Sequence, residues 1–203
     1  MYENGPFFVN SYLIVNKVNN KALIIDPGSE VLPLFQKVEK EKLNVEAVLC
    51  THGHLDHVVG VNGIQKRLNI PFYMNQKDAF LLDSIPTQAR MFGVMEPEKP
   101  KIDYNLEEDS EITIADINIK LLYTPGHSPG SISFLIDDSV ISGDTLFNFS
   151  IGRSDLGGGN HELLLKSIRE KIFTLPDKTH VFPGHGPETT VAKEKEFNPF
   201  FMM

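Results

Sequence analysis

The sequence has a single cysteine, Cys50, which excludes an internal disulfide and agrees with a reducing compartment. No apolar run is long enough to cross a bilayer. The N-terminus, Met1-Tyr2-Glu3-Asn4-Gly5, lacks the basic start and apolar core of a signal peptide. Positive charge is also scarce: 19 Lys and Arg stand against 27 Asp and Glu, a formal net charge of -8 that argues against a basic groove for nucleic acid. These absences predict a cytoplasmic protein whose partner is a small-molecule substrate, with neither nucleic acid nor membrane. What remains is one domain over 1–203, since that length and a 41% hydrophobic content suffice for a real core. Cys50 is expected to serve as a small apolar residue at a strand end.

Histidine is concentrated instead. Thr51-His52-Gly53-His54-Leu55-Asp56-His57 packs three imidazoles and a carboxylate into a few residues. One histidine reads as a helix cap or a partner for backbone groups; such a cluster reads as a metal site, because imidazole nitrogen and carboxylate oxygen suit zinc and other first-row divalent ions. Val45 to Cys50, just before it, is a short apolar, β-branched run typical of a buried strand. Val58 to Leu68, just after it, carries apolar residues at helical spacing and stops before Asn69-Ile70-Pro71. The ligand-rich loop therefore lies at the carboxyl end of a strand, where open α/β layers bind ligands.

Strand-like runs Phe7–Val15 and Lys21–Asp26, separated by Asn19-Asn20, predict a hairpin. Asp26-Pro27-Gly28 turns the chain, and Ser29 is expected to cap a helix through Val31, Leu34, Phe35, Val38 and Leu43. Pro71 to Met74 reads as a strand and Gln76 to Leu82 as a short helix. Residues 83–103 carry three prolines and no clear period, and are expected to be an irregular excursion that forms a substrate-facing lid or covers a sheet edge. The second half repeats the texture of the first. Strands are predicted at Glu111–Ala115, Ile117–Tyr123, Ser131–Ile136, Val140–Ser142 and His180–Phe182, with a helix capped by Asn160 and ended by Pro176. Strands flanked by helices in each half suggest two sheet layers with helices outside.

Three further loops follow strand-like runs and present one ligand-type side chain each: Thr124-Pro125-Gly126-His127, Gly143-Asp144-Thr145 and Pro183-Gly184-His185-Gly186. Small or rigid residues let the backbone turn tightly there. His127, Asp144 and His185 are expected to converge with His52, His54, Asp56 and His57 at one edge of the sheets. The remaining two of the seven histidines, His161 and His180, are read as structural.

Thr51 to His57, Thr124-Pro125-Gly126-His127-Ser128-Pro129-Gly130-Ser131, Gly143-Asp144-Thr145-Leu146-Phe147 and Pro183-Gly184-His185-Gly186-Pro187-Glu188-Thr189 together resemble the metallo-β-lactamase superfamily of hydrolases. The resemblance implies an αββα sandwich of two mixed sheets flanked by helices. It further implies two divalent metal ions, zinc first and iron or manganese as alternatives. One ion would be held by His52, His54 and His127, the other by Asp56, His57 and His185, with Asp144 bridging both. A water or hydroxide shared by the ions is the implied nucleophile, and Asp56 the catalytic residue that orients it and carries its proton.

Within the family, Asp144 in place of a cysteine ligand and His57 in place of arginine argue against a dedicated lactam hydrolase. The absence of glutamate at position 54 argues against the flavodiiron branch. Ser150 to Asp155 and Glu194 to Phe200 resemble short glyoxalase II-like enzymes, which cleave thioesters of hydroxy acids. The C-terminal helical domain of the longer glyoxalases II, which contacts glutathione, is not expected here. Arg153 is read as meeting a substrate carboxylate or, with slight preference, as a structural ion pair with Asp155. Met91, Phe92, Met95, Phe147 and Phe149 are candidates for pocket walls or for the core. The alternatives are a persulfide dioxygenase with one iron on His52, His127 and Asp144, and a lactonase or other ester hydrolase on the same site. A nuclease is disfavoured by the acidic balance, and a non-enzymatic binding protein by the complete donor set.

Overall fold

The structure is a computed structural model that describes residues 1–202. The first half contains β1 (Tyr2–Asn4), β2 (Val9–Asn16), β3 (Lys21–Ile25), α1 (Leu32–Glu41), β4 (Asn44–Leu49), α2 (Leu55–Val58), α3 (Val61–Leu68), β5 (Phe72–Met74), α4 (Ala79–Asp83), α5 (Ile85–Phe92) and β6 (Tyr104–Asn105). The second half contains β7 (Glu111–Ile114), β8 (Ile117–Tyr123), β9 (Ile132–Ile136), β10 (Ser139–Gly143), β11 (Leu146–Phe147), β12 (Ser150–Ile151), α6 (His161–Ser167), β13 (His180–Pro183), β14 (Thr189–Thr190) and α7 (Val191–Phe197). Two six-stranded sheets result, ordered β1-β2-β3-β4-β5-β6 and β14-β13-β10-β9-β8-β7. Each mixes parallel and antiparallel pairs, as expected of the αββα sandwich.

Three apolar layers explain this stacking. Ala22 and Ile24 of β3 face helices α1, α3 and α5, whereas Leu23 and Ile25 face the second sheet. The strand is therefore buried on both sides and reads as an unbroken apolar run. In β4 the register slips opposite Ala22 and Leu23, so Glu46 is an extra residue. That slip sends Val45 and Ala47 to opposite layers, although two residues apart they would otherwise share a face. The third layer packs Leu164, Ile168 and Ile172 against Val140 and Val181. Because both sheets are covered, their ends are left to carry the loops that bear the site.

Four local expectations change. Ser29 makes no cap: α1 begins after Val31 with proline in its first turn and no side-chain cap, since Pro33 supplies the preset φ and lacks the donor a cap would satisfy. The predicted helix from Val58 is a separate turn, α2, followed by α3 from Val61. Residues 83–103 are not wholly irregular, because α5 spans Ile85–Phe92 with Pro86 in its first turn, where proline costs nothing, and Gly93 ends it in the left-handed region. His180–Pro183 is not the last strand: β14 follows it antiparallel. Asn160 does cap α6, accepting from the Leu163 N–H, and Cys50 is fully buried as a thiol. No helix among the described residues is long and apolar enough to cross a membrane.

Gly60 shows how tightly the first metal loop is backed. Its N–H donates to the Pro27 carbonyl, and a Cβ there would lie 2.3 Å from the Gly28 oxygen and 2.7 Å from the Pro27 oxygen. Both obstacles are backbone, so Gly60→Ala must push apart α3 and the Asp26-Pro27-Gly28 turn. A loss of roughly 1–3 kcal/mol is expected in urea unfolding; an unchanged midpoint would show that the turn yields freely.

Candidate metal centre

The seven predicted donors come from four loops at one edge of the two sheets, and the structure brings all of them together. His52, His54 and His127 each offer a nitrogen within 4.8 Å of the others; so do the donor atoms of Asp56, His57 and His185, and those of His52, His57 and Asp144. The two carboxylates sit between these groups. Asp144 Oδ1 is 3.4 Å from His57 Nε2, while its Oδ2 is 3.5 Å from His127 Nε2 and 3.6 Å from His185 Nε2. Asp56 Oδ2 is 3.2 Å from His185 Nε2. Gly184 makes room for Asp144, since a Cβ there would meet Oδ1 at 2.1 Å. His161 and His180 lie apart from this cluster, on exposed positions, as the sequence suggested.

Proton bookkeeping shows what the cluster lacks. His127 Nδ1 lies 2.6 Å from the Arg153 carbonyl, which only accepts, so this nitrogen carries the proton and Nε2 presents a lone pair. The Thr51 hydroxyl donates to Asp26 Oδ2, so at 3.0 Å it accepts from His52 Nδ1, and His52 Nε2 likewise presents a lone pair. These two Nε2 atoms are 3.1 Å apart, and His54 Nδ1 is 2.8 Å from His127 Nε2. A proton on His54 would satisfy one contact and leave His52 facing a lone pair. In addition, both His57 nitrogens and Asp144 Oδ1 are buried without a hydrogen-bond partner; Asp26 Oδ2, 3.0 Å from His57 Nδ1, is not aligned with its N–H. Buried groups left in this state are costly. A cation removes the conflict, and the donor set fits a divalent first-row metal.

The charge states agree for the two carboxylates, His52 and His54, whereas His57 and His185 are shifted upward and give up a proton to bind a metal. Burial, helped by the imidazoles of His57 and His127, holds His52 well below its ordinary value, and burial with His127 lowers His54 to about 4. For His57 burial acts downward too, but the carboxylates of Asp56, Asp144 and Asp26 outweigh it and lift the ring well above its usual range. Burial raises Asp56 and Asp144, yet the neighbouring His57 charge dominates and keeps both below the usual carboxylate range. At neutral pH the carboxylates are therefore ionised while His52 and His54 are neutral, the state in which each binds a metal.

Three supporting residues carry no local signal as site residues. Asp26 accepts from the Thr51 N–H and hydroxyl, both at 2.7 Å, fixing the start of the first loop. Asp78 is fully buried and accepts from Gly53 N (2.9 Å), Ser128 Oγ (2.6 Å) and Gly130 N (2.6 Å), so one carboxylate ties the His52–His54 loop to the His127 loop. Asn10 donates to the carbonyls of Pro183 (3.0 Å) and Gly186 (2.8 Å), which holds the loop of His185. Such outer groups orient ligands and tune the metal. Only Asp26 sits beside a turn signal in the sequence; Asp78 and Asn10 are found by following hydrogen bonds.

The centre opens into a cavity of about 500 Å³. Met91, Phe92 and Phe147 line it as anticipated, together with Phe7 and Phe80, which had not been singled out. Met95 and Phe149 do not. Met95 faces a neighbouring groove, and Phe149 turns outward against Phe197 because φ at 149 is positive in the turn joining β11 to β12. Buried Glu194 anchors that turn by accepting from the Phe149 N–H. Arg153 pairs with Asp155 as predicted, at 3.0 and 2.9 Å.

The sequence matches the metallo-beta-lactamase superfamily over residues 4–185. The chain belongs to that superfamily. Among its relatives, the probable metallo-hydrolase YqgX of Bacillus subtilis (strain 168) is 41% identical over 97% of this chain and 93% of that protein. The hydroxyacylglutathione hydrolase GloC of Haemophilus influenzae is 39% identical over 96% and 93%. Solved structures agree on the fold. BLEG-1 B3 metallo-beta-lactamase superposes with a TM-score of 0.92 at 37% identity, covering 99% of this chain and 98% of that one. TTHA1623 in a di-iron-bound form gives 0.88 at 35%, covering 98% of each. Family and cluster together make this chain a metallo-hydrolase of the superfamily.

Proposed function

We propose that this metallo-beta-lactamase superfamily member hydrolyses thioesters. The observation that carries the reading is the pair of opposed Nε2 lone pairs on His52 and His127 inside a seven-donor cluster that faces an open cavity. The GloC relative supports a thioester as the bond attacked. His52, His54 and His127 would hold one divalent ion, Asp56, His57 and His185 a second, and Asp144 both. Bound there, such ions supply Lewis acidity toward a carbonyl and lower the pKa of a coordinated water.

The remaining chemistry belongs to the side chains. Asp56 lines the cavity and keeps its charge, so it is placed to accept the proton of the attacking water and return it to the departing thiolate. The Arg153 carbonyl and Thr51 hydroxyl hold His127 and His52 in the tautomers that point Nε2 inward. Zinc is the expected metal, with iron a second possibility that the di-iron-bound relative favours.

Thiol release from S-D-lactoylglutathione and from S-lactoyl-N-acetylcysteamine, by protein loaded separately with zinc and with iron, tests the proposal. Metal-dependent release is expected, falling about 10²–10⁴-fold in Asp56→Ala. Metal-loaded protein that frees no thiol from either ester overturns it, and oxygen uptake on a glutathione persulfide would then favour the mononuclear iron reading. A lactam is included as a control because BLEG-1 carries a β-lactamase name despite its likeness to this chain.

A further inference from the structure

We propose that the cavity beside the metal centre receives an uncharged, apolar acyl arm, which makes the preferred substrate an apolar acyl thioester and not a multiply anionic one. This rests on the thioesterase reading and names its substrate class. The character of the wall carries the inference. Phe7, Phe80, Met91, Phe92, Phe147 and Leu156 supply most of it. Three of these side chains stand open to solvent, Met91 at 73%, Phe92 at 47% and Phe80 at 44% of their full exposure. Large apolar groups gathered at the mouth of a catalytic cavity are stabilised when a ligand covers them.

Two of the three uncharged polar side chains in the same wall, Ser84 and Gln88, are already engaged, and Thr87 is the third. Gln88 accepts from the Leu55 N–H and donates to the Leu81 carbonyl and to Ser84 Oγ, and Ser84 donates to the Leu81 carbonyl. Both side chains are thus satisfied by the protein itself. Apart from the metal donors, Arg153 is the one charged residue lining the cavity, and both arms of its fork are held by Asp155. A substrate carboxylate would meet a cation whose charge Asp155 already offsets, in a protein whose net charge is -8. An alkyl or aryl group needs no cation and gains about fourfold in affinity for each methylene taken out of water.

The wall is also built as a unit. Phe7, from the turn after β1, meets Phe92 at the end of α5 edge to face, with ring centroids 5.0 Å apart. A neighbouring groove of about 390 Å³, lined by Val94, Met95 and Pro97, shares Phe7, Leu55 and Asp56 with the cavity.

Binding of thioethers, which cannot be hydrolysed, tests the idea without turnover. Metal-loaded protein is titrated calorimetrically with S-hexyl- and S-methyl-N-acetylcysteamine, and S-hexylglutathione supplies the anionic counterpart. The hexyl compound is expected to bind at least about tenfold more tightly than the methyl one. Met91→Glu, at an exposed position that leaves the melting temperature unchanged, is expected to reduce that preference below about threefold. A wild-type preference below threefold overturns the proposal. So does a tenfold gain for S-hexylglutathione over its N-acetylcysteamine counterpart that disappears in Arg153→Ala, because Arg153 would then be reading a carboxylate. Failure of the thioesterase reading shows separately, as absence of thiol release from every thioester while the binding ratio is still measured.

Discussion

Replacing Asp144 with alanine is expected to lower turnover by at least about 10²-fold and to halve the bound metal or worse, with the fold retained. The carboxylate reaches His57 with one oxygen and His127 and His185 with the other, so among the carboxylates of the described residues it is the one that lies within ion-pair distance of both histidine groups. Even outer-sphere partners of metal ligands are worth 10–100-fold in affinity or activity, and a direct donor should exceed that. Stability should respond with and without metal. In metal-free protein Asp144 and His57 stabilise each other's charge, so the melting temperature should fall when the carboxylate is removed. In metal-loaded protein the gain in melting temperature on adding metal should shrink, because that gain is binding energy. Metal analysis, thiol release and melting curves with and without metal give the three readouts. Full metal content with undiminished turnover would remove Asp144 from the site.

The second large effect is expected at Asp78, which touches no donor atom. Asp78→Ala strips the partner from two backbone N–H groups and the Ser128 hydroxyl, all deep in the protein. Buried donors left bare cost about 1–3 kcal/mol each, and three that relax together should amount to roughly 3–5 kcal/mol in denaturant unfolding. Metal affinity should fall about 10–100-fold as the His54 and His127 loops lose their common tether. Asp78→Asn keeps one accepting oxygen and should fall between the two. An alanine variant with wild-type stability but weakened metal binding would show that the loops are held by other contacts. A variant with lost stability and intact metal affinity would assign Asp78 to folding alone.

Much of the donor set could be read along the chain because each donor follows an apolar, strand-like run and a tight turn. His52, His127, Asp144 and His185 all obey that rule, and the sheets then have no choice but to present their ends together. The alternation of buried residues in β8 and the Asn160 cap of α6 were equally legible, because both depend on neighbours within a few positions. The short helix α5 was not. Pro86 and Gly93 look like breakers in isolation, yet they stand at the start and the end of the helix, the two places that tolerate them. The β4 bulge escaped notice for a related reason: one extra residue changes which face is buried without altering the apolar character of the run.

By itself the sequence determined which residues offer metal-ligating side chains, that strands and helices stack as two covered sheets, and that the family is the metallo-beta-lactamase superfamily. Those properties reside in short patterns whose physical meaning is local. The tertiary structure alone decided the distances at which the donors meet, that Asp78 joins loops 25 and 52 residues away, and that aromatic side chains from the N-terminal turn, α4 and α5 make one apolar wall. Such contacts depend on how sheets and helices pack across long sequence separations, and no spacing rule along the chain encodes a carboxylate's partners once the chain has folded back on itself.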